Sequence, residues 1–494
     1  MTFLQKLLNL FSNQPVINET QAETDSVTPP SLEQTITAFK DCMDFNHHAF
    51  KQCQVDVVYL PTLVGNTELF RDVIHPFTHA GENDVAGILA RGTYQPVQDS
   101  KACIKGILDG KASVFFRQTA YLVDVSEAIG RTIEQSETET VITGPHDGFV
   151  ENISLNIGLL RNRIKSSKLK TVKLQVGEVA KSDVVLMYLE GIADQELVQT
   201  LIKRIQNIEI DMVTEGNMLV QLIEENPNSV FPQFMTTERP DAIVSKIVGG
   251  RIVGLIDGSP SAFCCPTSFF DFFSSPDDYY SRWLTGTAIR LLRLVGFILT
   301  LGLTSFYVSA TTFHYEMIPH TMLYNLVESR SKVPFPPLLE ALIMETTIEL
   351  LREAGARLPS KIGQTIGIVG GIVIGQAAVQ AGFTSNILII TVATSAISSF
   401  VVPSYIMSAS IRLIRFGFII LAGMLGNLGL VIGIGFMVIH LAGITNLGTS
   451  YLTPVAPMNV NDSLDTFVRG PFWLLRKRPS IVKTKNKIRN KMRK

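Results

Sequence analysis

The strongest candidate for a functional site in this 494-residue chain is a predicted helix that has a repeat of glycines on one side and polar residues on the opposite side. At about 100° per residue, glycines spaced by four stay on one side of an α-helix, and such a smooth stripe lets a neighbouring helix approach to backbone distance. The repeat consists of Gly363, Gly367, Gly371 and Gly375. The opposite side of the same helix carries Thr365, Val369, Val373, Gln376 and Gln380.

This helix allows two interpretations. In the structural one, the glycines permit tight packing and both glutamines hydrogen-bond to neighbouring helices. In the functional one, the polar side lines a water-filled path, and Val369 and Val373 form an apolar constriction that gates by dewetting. Polar side chains at membrane depth prefer a cavity or a bundle interior to lipid, which is compatible with either interpretation.

A second set of candidate side chains is acidic. The short helical run at residues 337–351 carries Glu340, Glu345 and Glu349. On an interfacial helix these carboxylates would be solvated, whereas in an oligomer they would form stacked rings that concentrate cations at a pore mouth. The sequence leaves both alternatives open.

Signatures of catalysis and metal binding are missing from the sequence. It contains no P-loop, no H-E-x-x-H motif and no G-x-S-x-G motif. Cys42, His47, His48 and Cys53 have spacings that match no common zinc site. The five cysteines show no disulfide framework, which favours a cytosolic location for the part that carries them. We therefore expect no enzyme, no metal and no cofactor.

The elements that must position the candidate side chains follow from the distribution of charge. Residues 362–411 contain no Asp, Glu, Lys or Arg over 50 positions, and residues 416–461 contain none over 46. About twenty helical residues cover the roughly 30 Å hydrocarbon core of a bilayer, so runs of this length predict membrane spans. We predict a helical membrane domain at 291–461, with an amphipathic helix at 337–351 and strong spans at 291–313, 362–381, 386–409 and 416–440.

The number of crossings must be even if both ends of the chain face the cytosol. Four crossings leave Arg412 and Arg415 outside and make the acidic helix re-entrant or interfacial. Six crossings count that helix, divide the last span and place both arginines inside. The positions of the charged residues favour six crossings, whereas the lengths of the segments favour four. Pro403 should kink its span because proline lacks a backbone donor.

The front of the chain predicts a cytosolic α/β or α+β domain at residues 36–268, because short β-rich runs alternate with amphipathic helical runs. The predicted strands are 55–60, 112–116, 171–176, 183–189, 208–213 and 252–257. The sequence contains an internal repeat. Asp56 and Asp183 each lie at the start of a similar predicted strand, and Gly110 and Gly250 each precede a second predicted strand. We predict two related subdomains, at about 36–140 and 165–268, joined by a helix at 150–165.

Three further segments complete the predicted organisation. Residues 1–35 should be a flexible leader, because they are mostly polar and contain paired prolines. Aromatic and acidic residues predict a membrane-surface elbow at 269–290. The last 26 residues contain eleven Lys or Arg residues and no acidic residue. Because the whole chain has a net charge of −1, the residues before them have a net charge of −12. The basic cytosolic tail, 462–494, is either solvated or attracted to anionic lipid heads, and we expect no nucleic acid as a partner.

Several long blocks resemble, in order, the A subunits of the spore germination nutrient receptors, the GerA family of endospore-forming bacteria. They lie at 142–164 (ITGPHDGFVENISLNIGLLRNRI), 236–263 (TTERPDAIVSKIVGGRIVGLIDGSPSAF), 278–283 (DYYSRW), 333–379, 411–416 (IRLIRF) and 469–479 (RGPFWLLRKRP). The resemblance covers about residues 140–480. The first 130 residues match weakly, and residues 443–454 depart from the family's usual form.

The resemblance implies a multi-pass protein of the spore inner membrane, with the N-terminal domain and C-terminal tail in the cytosol. It implies a complex with a transporter-like B subunit that binds the nutrient and with a C subunit that is a lipoprotein. It further implies that A subunits form homo-oligomers, in contact with membrane lipids, and act as a ligand-gated path for monovalent cations. A secondary transporter of a small solute and a non-conducting scaffold subunit are the alternatives, although transporters usually show internal repeats among their spans.

Overall fold

The structure is a computed structural model that describes residues 28–127, 136, 139, 141, 143–359, 371, 373 and 375–490. The described chain has a front half with two five-stranded sheets and a second half made of helices. Most of the predicted leader and most of the predicted span at 362–381 lie outside the described residues. The first described helix is α1, Leu32–Ala38.

The first sheet is antiparallel, and its strands lie in the order β1-β2-β4-β5-β3. Its strands are β1 Asn46–Phe50, β2 Val55–Tyr59, β3 Gln95–Val97, β4 Lys111–Phe116 and β5 Thr119–Asp124. Short helical segments at Asn66–Leu69, Phe70–Ile74, His75–Thr78 and Val85–Leu89 precede β3, and helix α2, Ser100–Leu108, precedes β4. The β-rich runs predicted at 55–60 and 112–116 are confirmed as β2 and β4.

The second sheet is also antiparallel, in the order β6-β7-β9-β10-β8. Its strands are β6 Leu169–Val176, β7 Ser182–Leu189, β8 Met235–Thr237, β9 Ile252–Ile256 and β10 Ala262–Cys265. Its helices are α3 Ile153–Arg163, α4 Gln195–Gln206, α5 Gly216–Ile223 and α6 Pro240–Val248. The strand expected at 208–213 is wrong, because Ile208 and Ile210 pack against the core of this sheet from a loop.

Equivalent positions of the two sheets carry the residues of the internal repeat. The strands that contain Asp56 and Asp183 are second in their sheets, and the strands that follow Gly110 and Gly250 are central. Both glycines have positive φ, +86° and +99°, where other residues are strained. A Cβ on Gly110 would lie 2.9 Å from the Leu63 carbonyl oxygen, so space as well as conformation requires glycine there.

A buried ion pair joins the two sheets. Asp44 precedes β1 and accepts hydrogen bonds from Nε and Nη2 of Arg161 on α3, each at 2.6 Å. Both side chains are buried. Beside them the Met43 amide donates to the Thr171 carbonyl oxygen of β6 at 3.0 Å. The loop before the first sheet is therefore part of the second sheet's core, which fixes the two sheets to each other.

The second half is a helical bundle around α7. Its helices are α7 Trp283–Thr312, α8 His320–Arg330, α9 Pro337–Arg357, α10 Asn386–Ser399, α11 Tyr405–Leu425, α12 Asn427–Gly443 and α13 Val460–Thr466, and strands Thr445–Asn446 and Thr449–Ser450 form a small hairpin. Helix α7 packs against α9, α10, α11 and α12. By length and composition, α7 and α11 could each cross a bilayer, and α10 and α12 are apolar but shorter.

The helix bounds differ from the predicted spans. Helix α7 begins at Trp283 rather than at 291, within the predicted elbow. The span predicted at 386–409 is two helices, because Pro403 lies between α10 and α11 instead of kinking one helix. The span predicted at 416–440 is divided at Gly426, whose φ is +62° and where a Cβ would lie 2.9 Å from Nε2 of His314.

The elbow and the tail are more tightly packed than the sequence predicts. Phe269, Phe272 and Phe273 are buried in the core of the second sheet, so the aromatic run of the elbow is largely internal, although Trp283 is exposed. The tail returns to the elbow, where Tyr279 donates to the Asp465 carboxylate at 2.7 Å. Residues 462–490 therefore lie against the front half and the start of α7.

Candidate functional site

The described part of the glycine-rich segment is a helix whose polar side is open. Residues 371, 373 and 375–380 are helical, Val373 is 56% exposed, and Gln376 and Gln380 are exposed. Ala378 packs against the apolar cluster formed by α7, α9 and α10. At about 100° per residue, Ala378 lies on the glycine side and the glutamines lie opposite it. Among the described residues of this helix, Ala378 on the glycine side therefore contacts the bundle, whereas Gly371 on that side and Val373, Gln376 and Gln380 on the polar side are exposed.

Only part of the glycine repeat and of the polar side lies in the described residues. A Cβ added to Gly371 or Gly375 would meet no atom of the described residues within 4 Å, so contacts in the described part of the chain do not require glycine at either position. Thr365, Val369, Gly363 and Gly367 lie outside the described residues.

Glu340 anchors the end of this helix to the bundle. Its carboxylate, buried on α9, accepts from the Ser385 amide at 2.5 Å and from Oγ1 of Thr384 at 3.1 Å. The hydroxyls of Ser385 and Tyr307 lie 2.9 Å apart, which connects the same point to α7. Glu340 is thus a fixed acceptor at the turn between the glycine-rich helix and α10.

Glu345 lies in the centre of the bundle, paired with Arg415. Nη2 of Arg415 is 2.8 Å from Oε2 of Glu345, and both side chains are 0% exposed. Oγ1 of Thr304 on α7 donates to the other Glu345 oxygen at 2.8 Å, and Arg415 donates to Oγ of Ser395 on α10 at 3.1 Å. One buried pair therefore connects α7, α9, α10 and α11.

Glu349 extends the pair toward the edge of the bundle. It accepts from Nη2 of Arg415 at 2.9 Å and from Nε of Arg412 at 3.2 Å. Arg352, one turn further along α9, donates to Oγ of Ser399 at 3.1 Å and lies 4.3 Å from the ring centre of Phe400. The three glutamates are thus internal ligands of arginines and hydroxyls within one chain, not an open row of carboxylates.

Sequence reasoning missed the arginines that pair with these glutamates. The signal was present: Arg412 and Arg415 are the only charges between the two uncharged stretches, and they are spaced by three residues. Glu345 and Glu349 are spaced by four. Both spacings put like charges on one helix face, so two such faces can meet as a network.

The outside of the bundle is rich in apolar side chains, and its interior contains polar as well as apolar side chains. Large apolar side chains with 62% to 71% exposure include Ile298, Ile390, Ile397, Leu413, Val431, Phe436 and Ile439. Buried polar side chains include Thr300, Thr304, Ser305, Ser309, Ser395 and Arg415. Water-soluble proteins bury apolar groups and rarely expose large contiguous apolar surfaces.

The start of α7 is held by a buried carboxylate. Asp278 in the elbow is fully buried and accepts from Nη1 of Arg293 at 2.8 Å and from Nε of Arg290 at 3.2 Å. Nη1 of Arg290 also donates to the Asp465 carbonyl oxygen. The elbow, the first two turns of α7 and the tail are therefore joined at one point.

A second carboxylate attaches the elbow to the front half. Asp271 caps the turn at Phe269–Phe273 and accepts from Arg251, which precedes β9, at 2.7 Å. Burial by itself raises the pKa of a carboxyl, but the charges of Arg251 and Lys246 hold the pKa of Asp271 well below its ordinary value of 3.8. The ion pair thus favours the ionised carboxylate in the folded chain.

Acid should weaken this attachment. Because the pKa of Asp271 is lower in the folded chain, its stabilisation is complete above pH 3.8 and is lost as the pH falls below that value. The free energy of unfolding should therefore fall by up to about 1.4 kcal/mol per pH unit in that window. Urea unfolding of the full chain in detergent, followed by Trp283 fluorescence, measures this slope. The variant Asp271→Asn should lack it; an equal slope in both proteins would assign it to other carboxylates.

The possible metal ligands of the chain do not come together in its described part. Among the described residues, no group of three or more His, Cys, Asp or Glu side chains is placed to hold a metal ion. The five cysteines are buried in the front half. Cys42, His47, His48 and Cys53, considered above as metal ligands, form no such group.

Comparison with known proteins gives consistent matches over most of the chain. A family model described as Bacillus/Clostridium GerA spore germination protein matches residues 33–481. The spore germination protein GerQA of Bacillus cereus is 40% identical over 470 residues, which are 93% of this chain and 94% of that protein. The uncharacterized membrane protein YfkQ of Bacillus subtilis (strain 168) is 36% identical over 77% of this chain and 74% of that protein.

The solved structures that match the chain include the crystal structure of the N-terminal domain of the A subunit of the Bacillus megaterium spore germinant receptor GerK3. The match covers 49% of this chain and 98% of that domain, with 22% sequence identity and a TM-score of 0.38.

Proposed function

The chain belongs to the GerA family of spore germination proteins, as an A subunit, and on that basis we propose that it forms the gated cation path of a nutrient-sensing germination receptor. In this proposal several copies assemble in the spore membrane. The polar side of the glycine-rich helix from each copy lines the path. B and C subunits are the other members of the receptor, as the family resemblance implies, and the nutrient contacts the B subunit. No catalytic role is proposed.

The polarity of the bundle supports its location in a membrane. Exposed isoleucines, leucines and valines surround an interior that contains many polar side chains, as expected for helices whose outer solvent is lipid. The lengths of α7 and α11 suit a hydrocarbon core of roughly 30 Å, and one relative is described as a membrane protein. Buried Arg415 is compatible with this location because it is paired with carboxylates inside the bundle.

The helix contacts favour six crossings over four. Helix α10 runs antiparallel to α7, since Ser385 lies at Tyr307 and Oγ of Ser395 donates to the Thr300 carbonyl oxygen. Helix α12 returns to the front half, where His440 lies 2.9 Å from Oγ of Ser229. With α7, α9, the glycine-rich helix, α10, α11 and α12 each crossing once, the front half and the tail share one side, the cytosol.

The observation that carries the proposed path is the uncovered polar side of the glycine-rich helix. Two exposed amides on an otherwise apolar bundle need water or a neighbouring subunit. A ring of copies satisfies both needs, since each polar side then faces a shared aqueous axis and each Val373 narrows it. Glu340, Glu345 and Glu349, which are already paired within the chain, serve in this proposal to hold the helices and not as an acidic mouth.

Cysteine accessibility tests the face assignment in the assembled protein. We expect Gln376→Cys and Gln380→Cys to react with a membrane-impermeant thiol reagent, and the matched Ala378→Cys on the packed side to react more slowly. The background should be low because the native cysteines are buried. If both glutamine positions are sealed in every state, the path does not follow this helix.

Changing Val373 tests conduction directly. Val373→Glu places a charge in the predicted apolar constriction and should raise nutrient-independent cation leak by about tenfold, equivalent to about 1.4 kcal/mol off the barrier. Val373→Ala should raise it less, and Val379→Ala, which lies about 120° from Val373 around the helix, should leave it unchanged. Ion flux from vesicles and germination without nutrient are the two measurements.

The results also separate the alternatives. Unchanged leak and unchanged germination in both Val373 variants would favour a non-conducting scaffold. Saturable uptake of a small solute by the purified chain would favour a secondary transporter. Loss of assembly in Gly371→Leu, without any leak, would show only that the glycine side packs against another molecule.

A further inference from the structure

The tail contains a cavity with a strongly cationic lining. The cavity has a volume of about 380 Å³, within the range of roughly 300–1,000 Å³ that is usual for small-ligand sites. Its positively charged lining residues are Lys477, Arg478, Lys483 and Lys487, and Asp462 is the one acid among its lining residues. The lining therefore has an excess of three positive charges.

A loop closed at its base brings these cations together. Residues Lys477 and Ile488 form an antiparallel bridge, and the Arg478 amide donates to the Lys487 carbonyl oxygen at 2.9 Å. Between them the chain reverses through the turn Ser480–Val482 and through Lys483, whose φ is +51°. Residues that are ten positions apart in sequence are thus placed around one cavity.

The charged groups of the lining differ in whether they form hydrogen bonds with the rest of the chain. Nε of Arg478 donates to the Val248 carbonyl oxygen at 3.2 Å, which attaches the loop to the end of α6. One carboxylate oxygen of Asp462 accepts from the Ser480 amide at 2.8 Å and from its hydroxyl, so this acid holds the turn. The ammonium groups of the three lysines have no hydrogen-bond or ion-pair partner among the residues that the structure describes.

Three unpaired ammonium groups around one cavity repel one another, and an anion at its centre would remove that repulsion. A phosphate group suits the lining, because its several oxygens can each accept a charge-assisted hydrogen bond from a different lysine. We propose that this cavity of the tail is a binding site for a phosphate group. The proposal is independent of the cation path, since it concerns a surface outside the bundle.

Two sources of phosphate are compatible with the position of the cavity. The tail runs beside the start of α7, where Oγ1 of Thr287 donates to the Arg469 carbonyl oxygen at 3.2 Å, and Phe472 is exposed nearby. This level is the expected bilayer surface, so an anionic lipid headgroup is one source. A free phosphate or phosphomonoester from the aqueous side is the other.

The test uses the purified full chain in neutral detergent at constant ionic strength. Inorganic phosphate and dioctanoyl phosphatidylglycerol are titrated separately, and binding is followed by calorimetry. Lys483→Gln, which removes one lining charge, should weaken binding by about fivefold. Lys485→Gln removes the same charge two residues away, outside the lining, and should change binding by less than about twofold.

Binding of phosphatidylglycerol without binding of inorganic phosphate would identify the source as a lipid headgroup. Binding of inorganic phosphate would identify a free phosphate as sufficient. Either result, together with the difference between the two lysine variants, supports the site. The proposal is overturned if neither probe binds, or if Lys485→Gln weakens binding as much as Lys483→Gln, which would indicate a diffuse basic surface.

Discussion

Arg415→Met should destabilise the helical half by about 3–5 kcal/mol, the usual cost of removing one partner of a buried ion pair. The variant leaves Glu345 without its cation in the centre of the bundle, where the carboxylate is fully buried. It also removes the 2.9 Å contact of Arg415 with Glu349, which keeps Arg412, and the hydrogen bond from Arg415 to Ser395. Methionine is long enough to fill the space, so loss of the charge and not a cavity should dominate the effect.

Two variants serve as controls for Arg415→Met. Arg412→Met removes a less buried cation of the same network, so the expected loss is smaller, about 1 kcal/mol or less. Arg415→Met combined with Glu345→Gln removes both charges of the central pair, and it should recover much of the lost stability because no buried charge is then left unpaired. The thermal midpoint of the full chain in detergent, and its abundance in spore membranes, measure the order of the three variants.

The same controls define the result that would contradict this view of the network. If Arg415→Met and Arg412→Met lowered the thermal midpoint equally, burial of the pair would not be the cause. If the double variant were less stable than Arg415→Met alone, Glu345 would have a favourable role of its own, apart from neutralising Arg415.

The sequence predicted the front half well where local signals were strong. Strands β2, β4, β6, β7 and β9 are β-branched runs bounded by polar residues or glycine, and they were expected within one or two residues. Shorter strands such as β3 and β8 have only three residues and were missed. Ile208 and Ile210 show the opposite error, because an apolar alternation also arises when a loop packs onto a core.

The helical half was harder to predict because composition does not locate helix ends. Residues 416–440 contain no Asp, Glu, Lys or Arg and only two polar residues, Asn427 and His440. The division at Gly426 depends on its positive φ and on the closeness of His314, which composition does not show. The partners of the acidic helix were likewise undetermined, since Glu345 and Arg415 are 70 residues apart and meet only through tertiary packing. The polar side of the glycine-rich helix, by contrast, depends only on helical periodicity, and Val373, Gln376 and Gln380 are exposed together.

The buried carboxylate of Asp278 lies where the front half meets the helical half. The front half and the bundle are joined through the elbow, the tail, the contact at His440 and the segment 445–451 after α12, so a signal between them can pass through any of these. Asp278 is the point where the elbow, α7 and the tail meet, because Arg290 contacts both Asp278 and Asp465. A rigid connection at this point would transmit a movement of the front half to the first turns of α7.

Asp278→Asn tests that connection and should cost about 3–5 kcal/mol, because it leaves buried Arg293 without a charge partner and buried Arg290 with only the longer contact to Asp465, at 3.6 Å. The adjacent Asp277→Asn is the matched control. Asp277 pairs with Arg239, which keeps Asp241 as a second partner, so the expected cost is about 1 kcal/mol or less.

Thermal unfolding of the full chain compares the two variants. Both are made in a Trp473→Phe background, so that the fluorescence comes from Trp283 alone and is a local readout. In Asp278→Asn the Trp283 signal should also change at a lower temperature than the far-ultraviolet circular dichroism, because the joint separates before the sheets unfold. Coincident transitions, or equal losses in the two variants, would show that the elbow and α7 are held mainly by their apolar contacts.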